Sequence, residues 1–125
     1  QKSSNMLRLN LVLNNLAHSI PNVIKTYTID DPQYLNRKFD YIVSNPPFKL
    51  DFSDFRTNLE KDAFKERFFA GIPNVPKAKK ESMAIYLMFI QHIMYSLSDK
   101  GKGAVVVPTG FITAQSGIEK KIREH

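Results

Sequence analysis

Phe39-Asp40-Tyr41-Ile42-Val43-Ser44-Asn45-Pro46-Pro47-Phe48 reads as a strand that runs into a rigid polar turn. Phe39, Tyr41, Ile42 and Val43 are aromatic or β-branched, the residue types that suit a buried strand. Pro46 and Pro47 cannot donate to a ladder, so the chain leaves the sheet at Asn45. A residue before proline is pushed out of the helical region, which holds Asn45 and Pro46 extended, and Pro47 fixes the backbone after them. The turn is set before any ligand arrives.

It presents three groups: the side-chain amide of Asn45, the carbonyl of Pro46 and the ring of Phe48. Two hydrogen-bond acceptors and a π surface suit a flat ring that carries an amino group. An exocyclic amine such as adenine N6 is a weak nucleophile because its lone pair is delocalised into the ring. Acceptors on both of its N–H bonds favour a tetrahedral, more nucleophilic nitrogen. The competing reading is a Pro-Pro surface turn with an Asn beside it, which is common in loops. The strand that precedes the tetrapeptide favours the site.

A chain of 125 residues with 42% hydrophobic content can form one domain with a modest core. No apolar run approaches the roughly 18 residues of a membrane span. The N-terminus lacks a signal-peptide pattern, which reads as a cytoplasmic protein. The absence of Cys excludes disulfides, thiolate zinc sites and cysteine nucleophiles. His18 has no companion ligand nearby, and no metal site is expected. A net charge of +6 favours an anionic partner, nucleic acid first among them. Lys61, Lys65, Arg67, Lys77, Lys79 and Lys80 crowd the stretch after the proline turn. Lys77, Lys79 and Lys80 form either a phosphate-contacting patch or a solvated face.

Residues 3–17 read as a packing helix, with Ser3, Ser4 or Asn5 as its cap, Met6, Leu9, Leu13 and Leu16 on one face, and Asn14-Asn15 weakening its end. Asn22 to Ile29 is rich in Val, Ile, Thr and Tyr and reads as a strand closed by Asp30-Asp31-Pro32. Between Lys49 and Lys80 the periodicity is poor, as in a functional loop, with a short helix near 58–69 carrying Phe64 and Phe68 inward. Aromatic residues among the lysines fill a core or stack on bases. Residues 82–98 are the clearest helix, largely buried, with His92 a structural residue within it. Ser98-Asp99-Lys100-Gly101 ends that helix. Residues 103–108 follow as a strand covered on both faces. Gly110 to His125 reads as a loop and a polar helix with Ile118 and Ile122 inward.

This alternation predicts an α/β fold with parallel strands at about 22–29, 39–44 and 103–108 and flanking helices. Ligands in such sheets sit beyond the carboxyl ends of the strands. Asp30, Asn45 and Pro108-Thr109 each follow such an end, so one site could gather all three.

Asn45-Pro46-Pro47-Phe48 after a strand resembles motif IV of the amino-methyltransferases that use S-adenosylmethionine. The flanks are Met6-Leu7-Arg8-Leu9-Asn10-Leu11 before it, and Ala84-Ile85-Tyr86-Leu87-Met88-Phe89-Ile90-Gln91-His92 and Gly103-Ala104-Val105-Val106-Val107-Pro108 after it. With them the chain resembles, over nearly its whole length, the modification (M) subunit of type I restriction-modification systems, an adenine-N6 DNA methyltransferase. The resemblance implies a partial Rossmann-like methyltransferase sheet over residues 1–125. Asn45 and the Pro46 carbonyl would hold the adenine amine, Pro47 would set the turn, and Phe48 would stack on the base. Asp30, or Asp31 if the register is off by one, would touch the adenine amino group of the donor; the plainer reading of this pair is an Asp turn before proline. The implied partners are DNA and the specificity and endonuclease subunits.

A complete donor site needs a Gly-rich turn after the first strand and an acidic residue after the second, and neither is found. Gly101-Lys102-Gly103 precedes a strand, so its amides face the wrong end of the sheet. The resemblance implies a chain that begins after the second strand of the catalytic domain, with an incomplete S-adenosylmethionine site and no activity of its own. Two absent strands would leave a gap of roughly 14 Å between 22–29 and 39–44. Either 22–29 moves in to pair with 39–44, or another copy of the chain covers an edge. The alternatives are an amino-methyltransferase acting on RNA, cytosine N4 or protein glutamine, and a basic nucleic-acid-binding or assembly module without chemistry.

Overall fold

The computed structural model describes residues 2–26 and 28–125, the side chains of 62 and 63 excepted. They form two compact units, Gln1–Gln33 and Tyr34–His125. In the first unit, α1 (Lys2–Leu13) is followed by a 3-10 turn over Ala17–Asn22. The helix starts at Lys2, so the expected capping residues lie inside its first turn. Its end falls where the asparagines predict: the Asn14 side chain donates to the Asn10 carbonyl at 2.9 Å, and Asn15 takes a left-handed φ of 58°. The expected packing of this helix is not found. No residue of α1 is buried and Leu13 is 75% exposed, because a unit this small holds too little apolar material to cover the stripe.

The strand expected over 22–29 is absent among the described residues, with Tyr27 lying outside them. Asn22 closes the 3-10 turn, and residues 28–30 form a turn. The Val23 carbonyl accepts from Arg8 at 3.3 Å, and the Thr26 hydroxyl donates to the Asp31 carboxylate at 2.8 Å. β-branched residues favour a strand only where a neighbour completes the ladder, and here the polar groups find local partners instead. The described residues of 22–29 thus offer no strand for the expected pairing.

The second unit is built on two parallel strands, β1 (Phe39–Ser44) and β2 (Leu97–Val105), in a two-stranded sheet. Tyr41 pairs with Lys102, Ile42 with Gly103, Val43 with Ala104 and Ser44 with Val105. The long crossover between them carries α2 (Ser53–Leu59), α3 (Asp62–Lys65) and α4 (Tyr86–Ser96). After β2 come α5 (Thr109–Thr113) and α6 (Gly117–Glu124). Among the described residues two strands therefore stand where three were expected.

The buried helix expected over 82–98 is α4, but β2 begins directly after it, earlier than the expected strand. Gly101 does not cap a helix; it lies in the strand, where a Cβ would come within 2.9 Å of the Phe39 carbonyl oxygen. The strand also stops short of Pro108, at Val105. Its partner ends at Ser44, and the Val106 amide makes one last bond to the Ser44 carbonyl at 3.0 Å.

α4 covers one face of the pair, with Ile93 against Gly103. The other face is bare: Tyr41 is 80% and Val43 83% exposed. The expected cover on both faces is thus present on one. Ala70, Tyr86, Leu87, Ile90 and Ile122 form the core between α4 and α6, with Ile118 packed against it, as its spacing predicts.

The stretch from 49 to 80 holds two short helices in place of one near 58–69. Phe52 and Phe68 are buried, so core filling is the fate of those two rings. The Gln91 side chain, fully buried, accepts from the Ala70 amide and donates to the Gly71 carbonyl, both at 2.9 Å. Arg56 donates to the Pro73 carbonyl at 2.8 Å. An irregular chain is held by side chains where no ladder serves it.

Candidate active site

Ser44 and Val105 are register partners, so Asn45 and Val106 leave the sheet side by side at its carboxyl end. The turn that follows is tied at both ends. Before it stands the Val106–Ser44 bond; after it, the Leu50 amide donates to the Met83 carbonyl at 3.1 Å. Between these ties Asn45 and Pro47 are exposed, Pro46 is buried and Phe48 is 38% exposed. The buried proline ring anchors the turn, while the amide of Asn45 and part of the Phe48 ring face solvent. A shallow recess of about 450 Å³ adjoins it, lined by Val43, Ser44, Asn45, Ala104, Val105 and Val106.

Behind Phe48 stands Tyr86, the first residue of α4, in an edge-to-face contact at 6.2 Å between centroids and 72° between planes. Tyr86 meets Phe111 of α5 in the same way, at 6.1 Å and 84°. Burial, and then the Glu119 carboxylate, push the Tyr86 phenol above its ordinary value. Sequence reasoning placed Tyr86 only on a buried helix face. No spacing in the sequence sets Tyr86 apart from the other residues of that face.

Three residues past Phe48, the Asp51 carboxylate accepts from the Ser53 amide at 2.9 Å and from its hydroxyl at 2.7 Å. These bonds, the amide first, hold Asp51 below the usual carboxylate range, and Lys80 adds a smaller electrostatic contribution. Lys80, at the end of the basic segment, therefore lies near enough to Asp51 to act on it. Lys77, Lys79 and Lys80 are all exposed.

Asp30 belongs to the first unit, half-buried in the turn at 28–30. Its neighbour Asp31 takes the Thr26 hydroxyl and, at 3.0 Å, the Gln33 side-chain amide. Of the three expected strand ends, those of Asn45 and Pro108-Thr109 belong to the paired strands, with Pro108 opening α5. Asp30 follows no strand.

His92 lies on α4 away from the turn, its Nδ1 3.5 Å from the guanidinium of Arg67. Arg67 is buried, its guanidinium 4.6 Å from the Phe64 ring centroid and 4.2 Å from that of Phe68. Burial, and then Arg67, push His92 down to about 4. The imidazole is neutral at pH 7 and packs as part of the structure. Among the described residues no helix is long and apolar enough to cross a membrane.

The sequence matches the family model for N-6 DNA methylase over residues 1–125. The chain belongs to that family. This N-6 DNA methylase chain is 29% identical over 130 residues to the type I restriction enzyme MpnII methylase subunit of Mycoplasma pneumoniae, covering 97% of the chain and 22% of that protein. It is 31% identical over 93 residues to the type I restriction enzyme HindI methylase subunit of Haemophilus influenzae, covering 74% of the chain and 18% of that protein. It therefore spans about a fifth of the length of these curated relatives. No solved structure matches it. The resemblance to type I methylase subunits, read from Asn45–Phe48 and its flanks, is borne out.

The glycines expected to bear on an S-adenosylmethionine site are placed as follows. Gly101 and Gly103 lie inside β2, and a Cβ on Gly110, at the start of α5, would meet open space. The close approach at Gly101 is to the neighbouring strand, at the Phe39 carbonyl oxygen, and not to an open cradle.

Proposed function

We propose that the protein of which these residues are part transfers a methyl group from S-adenosylmethionine to adenine N6 in DNA, within a type I restriction-modification system. The observation that carries this reading is the double tie on Asn45–Phe48 at the carboxyl end of a parallel strand pair. In that frame the Asn45 amide oxygen and the Pro46 carbonyl accept the two N–H bonds of an adenine turned out of the duplex, and Phe48 stacks on its ring. Pro47 keeps the two acceptors in register. The grip draws the nitrogen lone pair out of conjugation, so the amine becomes nucleophilic without a charged base.

Asp30 contributes to the donor side, which the rest of the protein must complete. Asp31, already engaged by Thr26 and Gln33, is less available for it. Lys77, Lys79 and Lys80 contact DNA phosphates beside the turn. The outer edge of β1, unpaired among the described residues, accepts the remaining strands of the catalytic domain or a second copy. The partners are DNA and the specificity and endonuclease subunits, and the setting is cytoplasmic.

The test is Asn45→Ala in the full-length protein, assayed by transfer of labelled methyl into unmethylated genomic DNA, RNA and protein. Incorporation into DNA that falls at least about a hundredfold in the variant, with melting temperature unchanged, is expected. Full incorporation by the variant would favour a binding or assembly module, and label in RNA or protein an amino-methyltransferase of another class.

A further inference from the structure

Phe48 is the exposed member of a row of three rings, Phe48, Tyr86 and Phe111, each set edge-to-face on the next. The two rings behind it differ from it in what holds them. Tyr86 is buried at the first turn of α4, packed in the core cluster with Leu87 and Ile90, and Phe111 packs against that same cluster. Phe48 lies in a loop with no ladder of its own. Its backbone is tied two residues later by the Leu50–Met83 bond, which leaves the ring plane undefined by main-chain contacts. A side chain with free χ angles is fixed only by what it touches, and aromatic pairs at these distances prefer edge-to-face geometry over others.

We infer that Tyr86 is a positioning residue for methyl transfer: its ring, backed by Phe111, sets the plane of Phe48 and hence the tilt at which a stacked base presents its amine to Asn45. This rests on the reading of Asn45–Phe48 as the acceptor site. Tyr86 does not touch the base. It acts through Phe48 by the packing of one ring on the next, a role that asks for the ring and not for the phenol oxygen. Small misplacements of reacting atoms lower turnover steeply while leaving binding almost intact, so loss of the Tyr86 ring acts on kcat and spares KM.

The experiment uses the full-length protein assembled with its partner subunits, labelled S-adenosylmethionine and unmethylated genomic DNA. Tyr86→Leu is expected to lower kcat about tenfold or more, with KM for both substrates within about twofold of the parent. Tyr86→Phe is expected to restore kcat. In a Phe48→Ala background, Tyr86→Leu should add nothing, because the ring it positions is gone. Equal losses in Y86F and Y86L, or a full additional loss on top of F48A, overturn the inference. If Y86L does not fold, Phe111→Leu reads the same row from its far end: a loss of about threefold that vanishes in the F48A background is expected, and an equal loss in both backgrounds overturns it. Asn45→Ala serves as the control for the site. If N45A methylates normally, the acceptor-site reading itself fails. If N45A is inactive while Y86L matches the parent, only the positioning role is lost.

Discussion

The backbone amide of Ala70 donates to the side-chain oxygen of Gln91 at 2.9 Å, deep in the second unit. The same side chain donates to the carbonyls of Gly71, at 2.9 Å, and Leu87, at 3.3 Å. One amide thus stands in for the ladder that the irregular crossover lacks. Gln91→Leu keeps the volume roughly and leaves the Ala70 amide and Gly71 carbonyl without their partner. A loss of about 2–3 kcal/mol is expected, seen as a lower urea midpoint at unchanged slope. A midpoint within error of the parent would show that water replaces the amide.

His92 makes stability depend on pH in a defined direction. Its value in the folded chain is about 4, below the 6.5 of an unperturbed imidazole. The unfolded chain therefore binds a proton that the folded chain refuses. Stability is complete above the unfolded value, falls as pH drops from about 6.5 towards 4, and levels off below that. The change is on the order of 2 kcal/mol after allowance for partial exposure. His92→Gln, which keeps an acceptor for Arg67, should flatten melting temperature against pH between 7 and 5. A slope equal to that of the parent would assign the effect elsewhere.

Two glycines predict opposite outcomes for the same substitution. At Gly101 a Cβ meets the Phe39 carbonyl oxygen at 2.9 Å and the Ser98 carbonyl oxygen at 3.0 Å, both backbone atoms that cannot swing aside. Gly101→Ala must push the strands apart and is expected to destabilise by about 2–3 kcal/mol. At Gly110 nothing lies within 4 Å. Gly110→Ala, inside α5, is expected to stabilise by about 0.5–1 kcal/mol. Thermal melts of the pair decide the matter: Gly101→Ala melting with the parent would contradict the first, and Gly110→Ala melting below it the second.

If the lysines beside the turn contact phosphates, they govern the salt dependence of DNA binding by the full-length protein. Replacing Lys77, Lys79 and Lys80 by Ala should lower the slope of log affinity against log salt by about 0.9 for each contact removed. Filter binding at several salt concentrations reads this slope. An unchanged slope with unchanged affinity would leave the three as a solvated face.

The turn and its strand were legible because their signal is local. Two prolines end β1 wherever it lies, and α4 announces itself through helical spacing. The element at 22–29 was misread for the opposite reason. Val23, Ile24 and Thr26 have strand preferences, yet a strand exists only when another strand accepts its bonds, and no single segment reveals whether that neighbour is there. Gly101 misled in a related way. Its position suits a helix cap, but the requirement it meets is the close approach of Phe39, 62 residues earlier in the chain. The row from Phe48 to Phe111 joins three segments whose proximity no periodicity encodes. His92 was legible as a lone histidine within a helix, while its charged neighbour Arg67 was not.

If Asn45–Phe48 is the acceptor site proposed above, its double tie bears on which partner moves in an encounter. A hinge needs slack, and this turn has none: two prolines, a buried ring and a main-chain bond on either side leave it no stroke. An amine held there would then be carried the whole way by the molecule that bears it. Selection would fall on how readily that molecule bends and opens, with the turn acting as a fixed gauge against which each candidate is offered.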